Sequence, residues 1–330
     1  MESIERPLTH SPLPEHAQRA RWLALLRRYS GFLILLALCL AFALRSTQFL
    51  TPSNLLNVAL QTSIIAIVAI GMTFTILTAG IDLSVGSMVA LSGALAAGLV
   101  VRQGLDTFAA IGLALAAGGL LGAVNGLLVV KGKMPPFVAT LAMLSVARGL
   151  TLVYTQGRPI AGIDERFIFL GSGSLLGIPM PVIILAVVFA LGLLTLRFTR
   201  FGNYVMATGG NPEISRLAGI PTAWILASVY VISGVTAALG GVLLTARLWS
   251  AQPNAAVGLE LDAIAASVLG GVSLFGGVGG LSGTLVGAFI LGVLSNGLNL
   301  MGVPSFYQQV IKGVVLILAV MLDLFTKRRR

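Results

Sequence analysis

Ionisable and amide side chains are rare along this chain, and those that interrupt its apolar stretches recur at matching places. Gly80-Ile81-Asp82-Leu83-Ser84 and Gly258-Leu259-Glu260-Leu261-Asp262 each follow a glycine with a carboxylate and then a second side-chain oxygen. Asn125 in Leu121-Gly122-Ala123-Val124-Asn125-Gly126-Leu127 corresponds to Asn296 in Leu291-Gly292-Val293-Leu294-Ser295-Asn296-Gly297-Leu298, with one residue inserted. Pro135-Pro136-Phe137 and Pro304-Ser305-Phe306 each lead into an apolar run with one internal cation, Arg148 and Lys312. Polar groups within lipid are costly, so they face a pathway, pair with one another, or cap helix breaks. Their chemistry here is that of a hydrogen-bonding lane for a polar solute, or of pairs that stiffen a bundle. A proton relay needs several carboxylates or histidines across the membrane. Both histidines, His10 and His16, precede the first apolar run, which weighs against ion-driven transport.

A second group of residues suits docking. Between Arg197 and Pro221 the chain turns polar and basic. Asn211 is a good N-cap, Pro212 fits the first helical position, and Glu213 in the first turn favours the helix dipole. Gly219 is placed to end this helix and Pro221 prevents its restart. Ile214, Leu217 and Ala218 share one apolar face, with Ser215 and Arg216 elsewhere on the helix. A short amphipathic helix of this kind either lies flat on lipid or docks onto another protein.

No catalytic constellation accompanies these residues. None of the lysines precedes Ser or Thr, so there is no phosphate loop of the Gly-Lys-Ser/Thr type, and HExxH, CxxC and GxSxG are absent. The glycine cluster at 276–283 misses the GxGxxG register because Ser282 occupies the last glycine position. A lone cysteine, Cys39, excludes an intrachain disulfide and a thiolate cluster. The chain is therefore expected to be a non-enzyme without metal or cofactor, and any driven step must draw energy from another chain.

The elements that hold these residues are membrane spans. Hydrophobic residues make up 57% of the 330 and charged ones 10%, with a mean hydropathy of +0.98. Soluble proteins carry about 25% charged residues, so this is an all-α polytopic membrane protein. The net charge of +10 sits in the N-terminal tail, short loops and the C-terminus, a distribution that sets orientation in lipid and does not imply a nucleic-acid partner. Runs long enough to cross about 30 Å of hydrocarbon, some of them short or broken by glycine, occur at 31–47, 55–78, 84–101, 108–130, 136–155, 179–197, 222–246, 260–277, 281–301 and 306–325. Ten spans place the excess of Lys and Arg, and both termini, on the cytoplasmic side. Residues 1–28 read as a disordered cytoplasmic tail and 29–330 as a single transmembrane domain, with the loop at 197–221 cytoplasmic. The connection at 156–178 is either a surface for an external partner or a solvated loop. Asp82 and Pro135 then fall on one side and Glu260 and Pro304 on the other, so halves 29–155 and 179–326 form an inverted repeat. Ala114, Gly118, Gly122 and Gly126, and likewise Gly279, Gly283 and Gly287, predict close helix packing.

Several strings resemble one family. Gly71 to Ser87 (GMTFTILTAGIDLSVGS), Asn125-Gly126, the run from Pro135, Arg148-Gly149-Leu150, Phe201-Gly202-Asn203-Tyr204, Gly209 to Ile220 and Gly270 to Gly280 are similar to ribose-type permeases of bacterial binding-protein-dependent ABC importers. The resemblance covers about 30–326. It implies a fold like the vitamin B12 permease, a second permease subunit (identical or different), cytoplasmic ATPase subunits and an extracytoplasmic sugar-binding protein, in the bacterial inner membrane. It also implies that Asn211, Pro212, Glu213, Ser215, Arg216, Leu217 and Gly219 couple to the ATPase. The pathway candidates are Asp82, Ser84, Asn125, Arg148, Glu260, Asp262, Asn296 and Lys312. The solute is expected to be a monosaccharide such as ribose, with autoinducer-2, a nucleoside or a branched-chain amino acid as alternatives. An ion-coupled secondary transporter and a membrane scaffold are the other classes.

Overall fold

Local signals set most helix ends. The computed structural model describes residues 31–327, so the expected tail at 1–28 lies outside the described residues. Helix α1 (Gly31–Arg45) precedes α2 (Pro52–Leu77), where Thr51 accepts from Asn54 N and Pro52 takes the first position. Helix α3 (Val85–Gln103) stops at Gly104 in a left-handed conformation (φ 65°). Asp106 then caps α4 (Thr107–Val130) through Phe108 N and Ala109 N. Helix α5 (Pro136–Thr155) begins on a proline.

The connection at 156–178 is structured. Strand β1 (Ile160–Ala161), helix α6 (Glu165–Ser172) and the hairpin β2 (Ser174–Leu175) and β3 (Ile178–Pro179) occupy it. Asp164 caps α6 and also accepts from Thr107 Oγ1 at 2.6 Å, tying α6 to the start of α4. Beyond it lie α7 (Met180–Phe198), α8 (Arg200–Gly210), α9 (Pro212–Leu217), α10 (Thr222–Leu248) and β4 (Ser250–Ala251), which pairs antiparallel with β1. The chain closes with α11 (Leu259–Leu269), α12 (Leu281–Leu300) and α13 (Ser305–Lys327).

Seven of the described helices (α2, α3, α4, α5, α7, α10 and α12) are long and apolar enough to cross a membrane. Gly31–Arg45 and the stretch Ser305–Met321 of α13 are apolar but shorter. One expected span is not a full helix. In place of 260–277, α11 has 11 residues, about 16 Å at 1.5 Å per residue. The following loop takes Gly271, Gly276, Gly277 and Gly279 through positive φ, which a glycine-rich run permits and a continuing helix would not.

Helix α10 lies at the centre, against α2, α3 and α4. Tyr230, Ile225 and Leu243 on it are among the largest fully buried side chains. Backbones meet through small residues: a Cβ on Gly118 would lie 2.6 Å from Gly234 O, and one on Gly126 2.7 Å from Ala227 Cα. Gly122 meets the Tyr230 backbone in the same way. Without a hydrophobic drive between helices in lipid, such contact supplies dispersion. The row on α4 thus packs as expected. Gly283 and Gly287 likewise meet the backbones of Gly270 and Ala266 across α11 and α12, whereas Gly279 lies before α12, against Val272.

Candidate functional site

The first break lies between α2 and α3 and is closed by hydrogen bonds. Ser84 donates to Asp82 Oδ1 through its backbone N–H at 3.0 Å and through its hydroxyl. Ser233 on α10 donates to Asp82 Oδ2 at 2.8 Å. Asn125 on α4 donates from Nδ2 to Ser84 Oγ at 3.0 Å, and Thr140 on α5 donates to Ile81 O at 3.1 Å. Asp82, Ser84, Asn125, Thr140 and Ser233 are all buried. A carboxylate offers only acceptors, and here three donors meet it with no cation partner among the described residues. Asn125 Oδ1 and Tyr230 OH are buried without a partner among the described residues.

Charges and backbone carbonyls shape the second break, at the start of α11. Glu260 and Asp262 stand in the first turn, where the helix dipole favours them. Lys312 Nζ on α13 pairs with Asp262 Oδ2 at 2.8 Å, and the two side chains keep 25% and 17% exposure. Arg148 Nη1 on α5 donates to Pro253 O and Ala255 O at 2.9 and 3.0 Å, holding the non-helical approach to α11. That approach passes through Ala256 (φ 58°) and Gly258 (φ 84°). The two breaks abut. A Cβ on Gly86, in the first turn of α3, would run into the Glu260 carboxylate and lie 2.6 Å from Ala256 O.

Asn296 does not join either cluster. It exchanges two amide hydrogen bonds with Asn54, at 3.0 and 2.9 Å, and so ties α12 to the start of α2. Its match with Asn125 is therefore one of sequence position and not of partners. Sequence reasoning also missed a buried hydroxyl group between α2, α11 and α12. Thr73 Oγ1 lies 2.7 Å from Thr284 Oγ1 and 3.1 Å from Ser267 Oγ. Thr73 and Ser267 also bond their own i−4 carbonyls. Isolated hydroxyls on apolar helices commonly do this, so spacing alone carries no sign of the cross-helix bonds. Ser233, the α10 partner of Asp82, also carries no local sign of its distant acceptor in the sequence.

At the end of the bundle opposite the β1–β4 ladder, the 197–221 stretch forms two helices where one was expected. Thr199 caps α8 through Gly202 N, and α8 buries Gly202, Val205, Thr208 and Gly209. Asn211 Oδ1 accepts from Glu213 N and Ile214 N, both at 3.0 Å, which starts α9. Gly219 follows at φ 83°. Of the residues on α9 only Ser215 is buried. Ile214 and Leu217 are 65% and 75% exposed, so the apolar face points away from the protein. Arg216 pairs with Glu213 at 2.6 Å and holds the Glu213 carboxyl below its ordinary value.

Comparison with known proteins gives concordant results. The family described as "Branched-chain amino acid transport system / permease component" matches residues 54–320. The ribose import permease protein RbsC of Bacillus subtilis (strain 168) is 47% identical over 313 residues, covering 94% of this chain and 97% of that protein. Its namesake in Escherichia coli (strain K12) is 48% identical over 304 residues, 91% and 94% of the two chains. The L-arabinose ABC transporter permease protein AraH of Azospirillum brasilense is 39% identical over 336 aligned positions, covering 100% and 98%. No solved structure gives a significant match. With a family match over most of the chain and relatives similar along nearly their whole length, the chain belongs to the family of branched-chain amino acid transport system / permease components.

Proposed function

We propose that this chain is the membrane-spanning permease subunit of an ATP-driven importer for a monosaccharide, with ribose as the first candidate. The observation that carries the reading is its near full-length similarity to ribose import permeases. ATP hydrolysis is assigned to a separate cytoplasmic ATPase. A second permease subunit, the same or different, and an extracytoplasmic sugar-binding protein complete the complex in a bacterial inner membrane.

In this reading α1, α11 and α13 join the seven long helices to make ten crossings in two inverted five-helix halves, 29–155 and 179–326, resembling the vitamin B12 permease type. The meeting of the two breaks at Gly86 and Glu260 supports that arrangement, because inverted repeats bring broken helices together at mid-membrane. Both termini and α9 face the cytoplasm. Helix α9 seats on the ATPase through Ile214 and Leu217, with the Glu213–Arg216 pair at the rim. Its exposed apolar face and side-chain N-cap support this, since a six-residue helix is held in shape there without covering itself. Closure of the ATPase on ATP moves α8 and α9, and through them α7 and α10.

Within the pathway the polar residues divide into two roles. Asp82, Ser84 and Asn125 serve as a fixed joint. Arg148, Glu260, Asp262 and Lys312, with the carbonyls of 252–258, border the solute's route, and their partial exposure supports this. Asn296 braces α12.

The test is uptake into proteoliposomes holding the permease, its ATPase and the binding protein. Ribose should enter only with ATP; uptake by the permease alone down an imposed proton or sodium gradient would overturn the reading. Other solutes, including autoinducer-2, a nucleoside and branched-chain amino acids, are separated by direct binding to the partner binding protein. Arg216→Glu with Leu217→Asp should abolish solute-stimulated ATP hydrolysis while the permease stays in the membrane. Full stimulation in that double variant would exclude α9 as the docking element.

A further inference from the structure

The last carbonyl of α2 is capped from a distant part of the chain. Helix C-termini leave carbonyls without intrahelical donors. The amides of Thr78, Ala79 and Gly80 turn back to Thr75 O, Ile76 O and Thr75 O, and none reaches Leu77 O. Gly277 supplies the missing donor, with its N–H 2.9 Å from Leu77 O. The loop reaches in because Gly276 and Gly277 take left-handed φ of 79° and 70°.

A third backbone closes on the same point. Gly209, in the last turn of α8, lies so close that an added Cβ would overlap Leu77 O and fall 2.7 Å from Gly277 N. A Cβ on Gly277 would lie 2.9 Å from Gly210 Cα, and one on Gly276 would lie 2.7 Å from Gly209 O and 2.8 Å from Ala79 N. Three chain segments therefore touch main chain to main chain, with no side chain between them to yield. Each leads to an element already described. Asn211, the N-cap of α9, follows Gly210 directly. Leu77 opens the turn that ends at Asp82 and Ser84, and the loop with Gly277 joins α11 to α12.

We propose that Gly209, Leu77 and Gly277 form a rigid backbone joint that carries the motion of α9 directly to the turn of the first break and, through the length of α11, to the second, alongside the flanking spans α7 and α10. The proposal rests on the reading of α9 as the ATPase-docking helix. These residues are positioning residues: they hold α9, the turn before Asp82 and the end of α11 against one another. Contact between main chains transmits displacement better than contact through flexible side chains, because packed backbone does not deform continuously.

Gly209→Ala tests the joint, with its neighbour Gly210→Ala as control, because a Cβ on Gly210 has no atom within 4 Å. Each variant is assembled with the ATPase and binding protein in proteoliposomes. Gly209→Ala should keep ATPase association and basal hydrolysis but lose about tenfold of the solute-stimulated rate, while Gly210→Ala stays within about twofold. Wild-type stimulation in Gly209→Ala would overturn the joint. Failure of the docking reading is separable: it would show as undisturbed ATPase association in Leu217→Asp. A second measurement covers the case in which Gly209→Ala does not fold. Spin labels at Gly210→Cys and Val278→Cys, both at exposed positions, are placed in a Cys39→Ser background. Their separation should stay the same between nucleotide-free and ATP-trapped complexes. A change of more than about 3 Å would show that the joint opens, and the proposal would fail.

Discussion

The two breaks occupy matching places in the sequence but are built from different chemistry. At the first, a single carboxylate is held by three hydrogen bonds from neutral donors and is fully buried. At the second, an ion pair keeps part of its surface open, and a guanidinium holds two carbonyls of non-helical chain. A buried charge with satisfied acceptors tolerates no change of partner, because each donor left behind has no water to turn to. Partly exposed ion pairs exchange partners at low cost, since water takes over what the partner releases. Symmetry in sequence therefore does not carry symmetry of role: in the proposed function one break serves as a fixed joint and the other as a moving, wettable edge.

The largest effect that distinguishes them is expected at Asp82. Asp82→Ala leaves the hydroxyls of Ser84 and Ser233 without their acceptor, a loss of about 3 kcal/mol on typical values for bonds to charged groups. A detergent melting curve should show a large fall and membrane levels should drop; an unchanged melting temperature would erase the distinction between the breaks. Next comes Lys312. Lys312→Met strands Asp262 and should cost about 1–2 kcal/mol, most of which Lys312→Met with Asp262→Leu recovers. Ribose uptake should stay impaired in the double variant even as the melting temperature returns. If uptake returned with stability, the pair would be a brace and not a pathway edge.

Arg148→Met should have a smaller effect on stability, about 1 kcal/mol, because two carbonyls lose a donor that water can partly replace. Proteolysis or hydrogen exchange at 252–258 should rise, with little change around Asp82. The smallest effect is expected at the Asn54–Asn296 pair. Replacing both by leucine removes donors and acceptors together and should leave uptake within about twofold of wild type. A severe defect there would mean that the second half has a polar anchor equivalent to Asp82 after all.

Much of this was legible in residues. Asn211, Pro212, Glu213 and Gly219 announce α9 because capping chemistry is local, and the structure builds the helix on those residues. The Ala114–Gly126 row announces a backbone contact because a four-residue repeat puts small side chains on one face. What could not be read depends on distant partners. Nothing near Ser233 marks it as the donor to Asp82, and nothing near Asn296 says that its partner is Asn54. The span expected at 260–277 is helical only over Leu259–Leu269, because Gly270 and Gly271 end α11 well before the glycine cluster at 276–283 that marks a break in the sequence. Helix α8 was overlooked because its only N-cap signal is Thr199, within a basic stretch that otherwise reads as loop.

The contrast between a closed and a wettable break is tested most directly by thiol modification in the assembled transporter. Ser84→Cys and Val257→Cys are compared in a Cys39→Ser background, using a charged, water-soluble methanethiosulfonate through the nucleotide cycle. Val257, 71% exposed beside the second break, should react and be slowed by ribose during turnover, whereas the buried position 84 should stay unmodified in every nucleotide state. Modification at position 84 at a comparable rate, with protection by ribose, would contradict the account and put Asp82 on the solute's route.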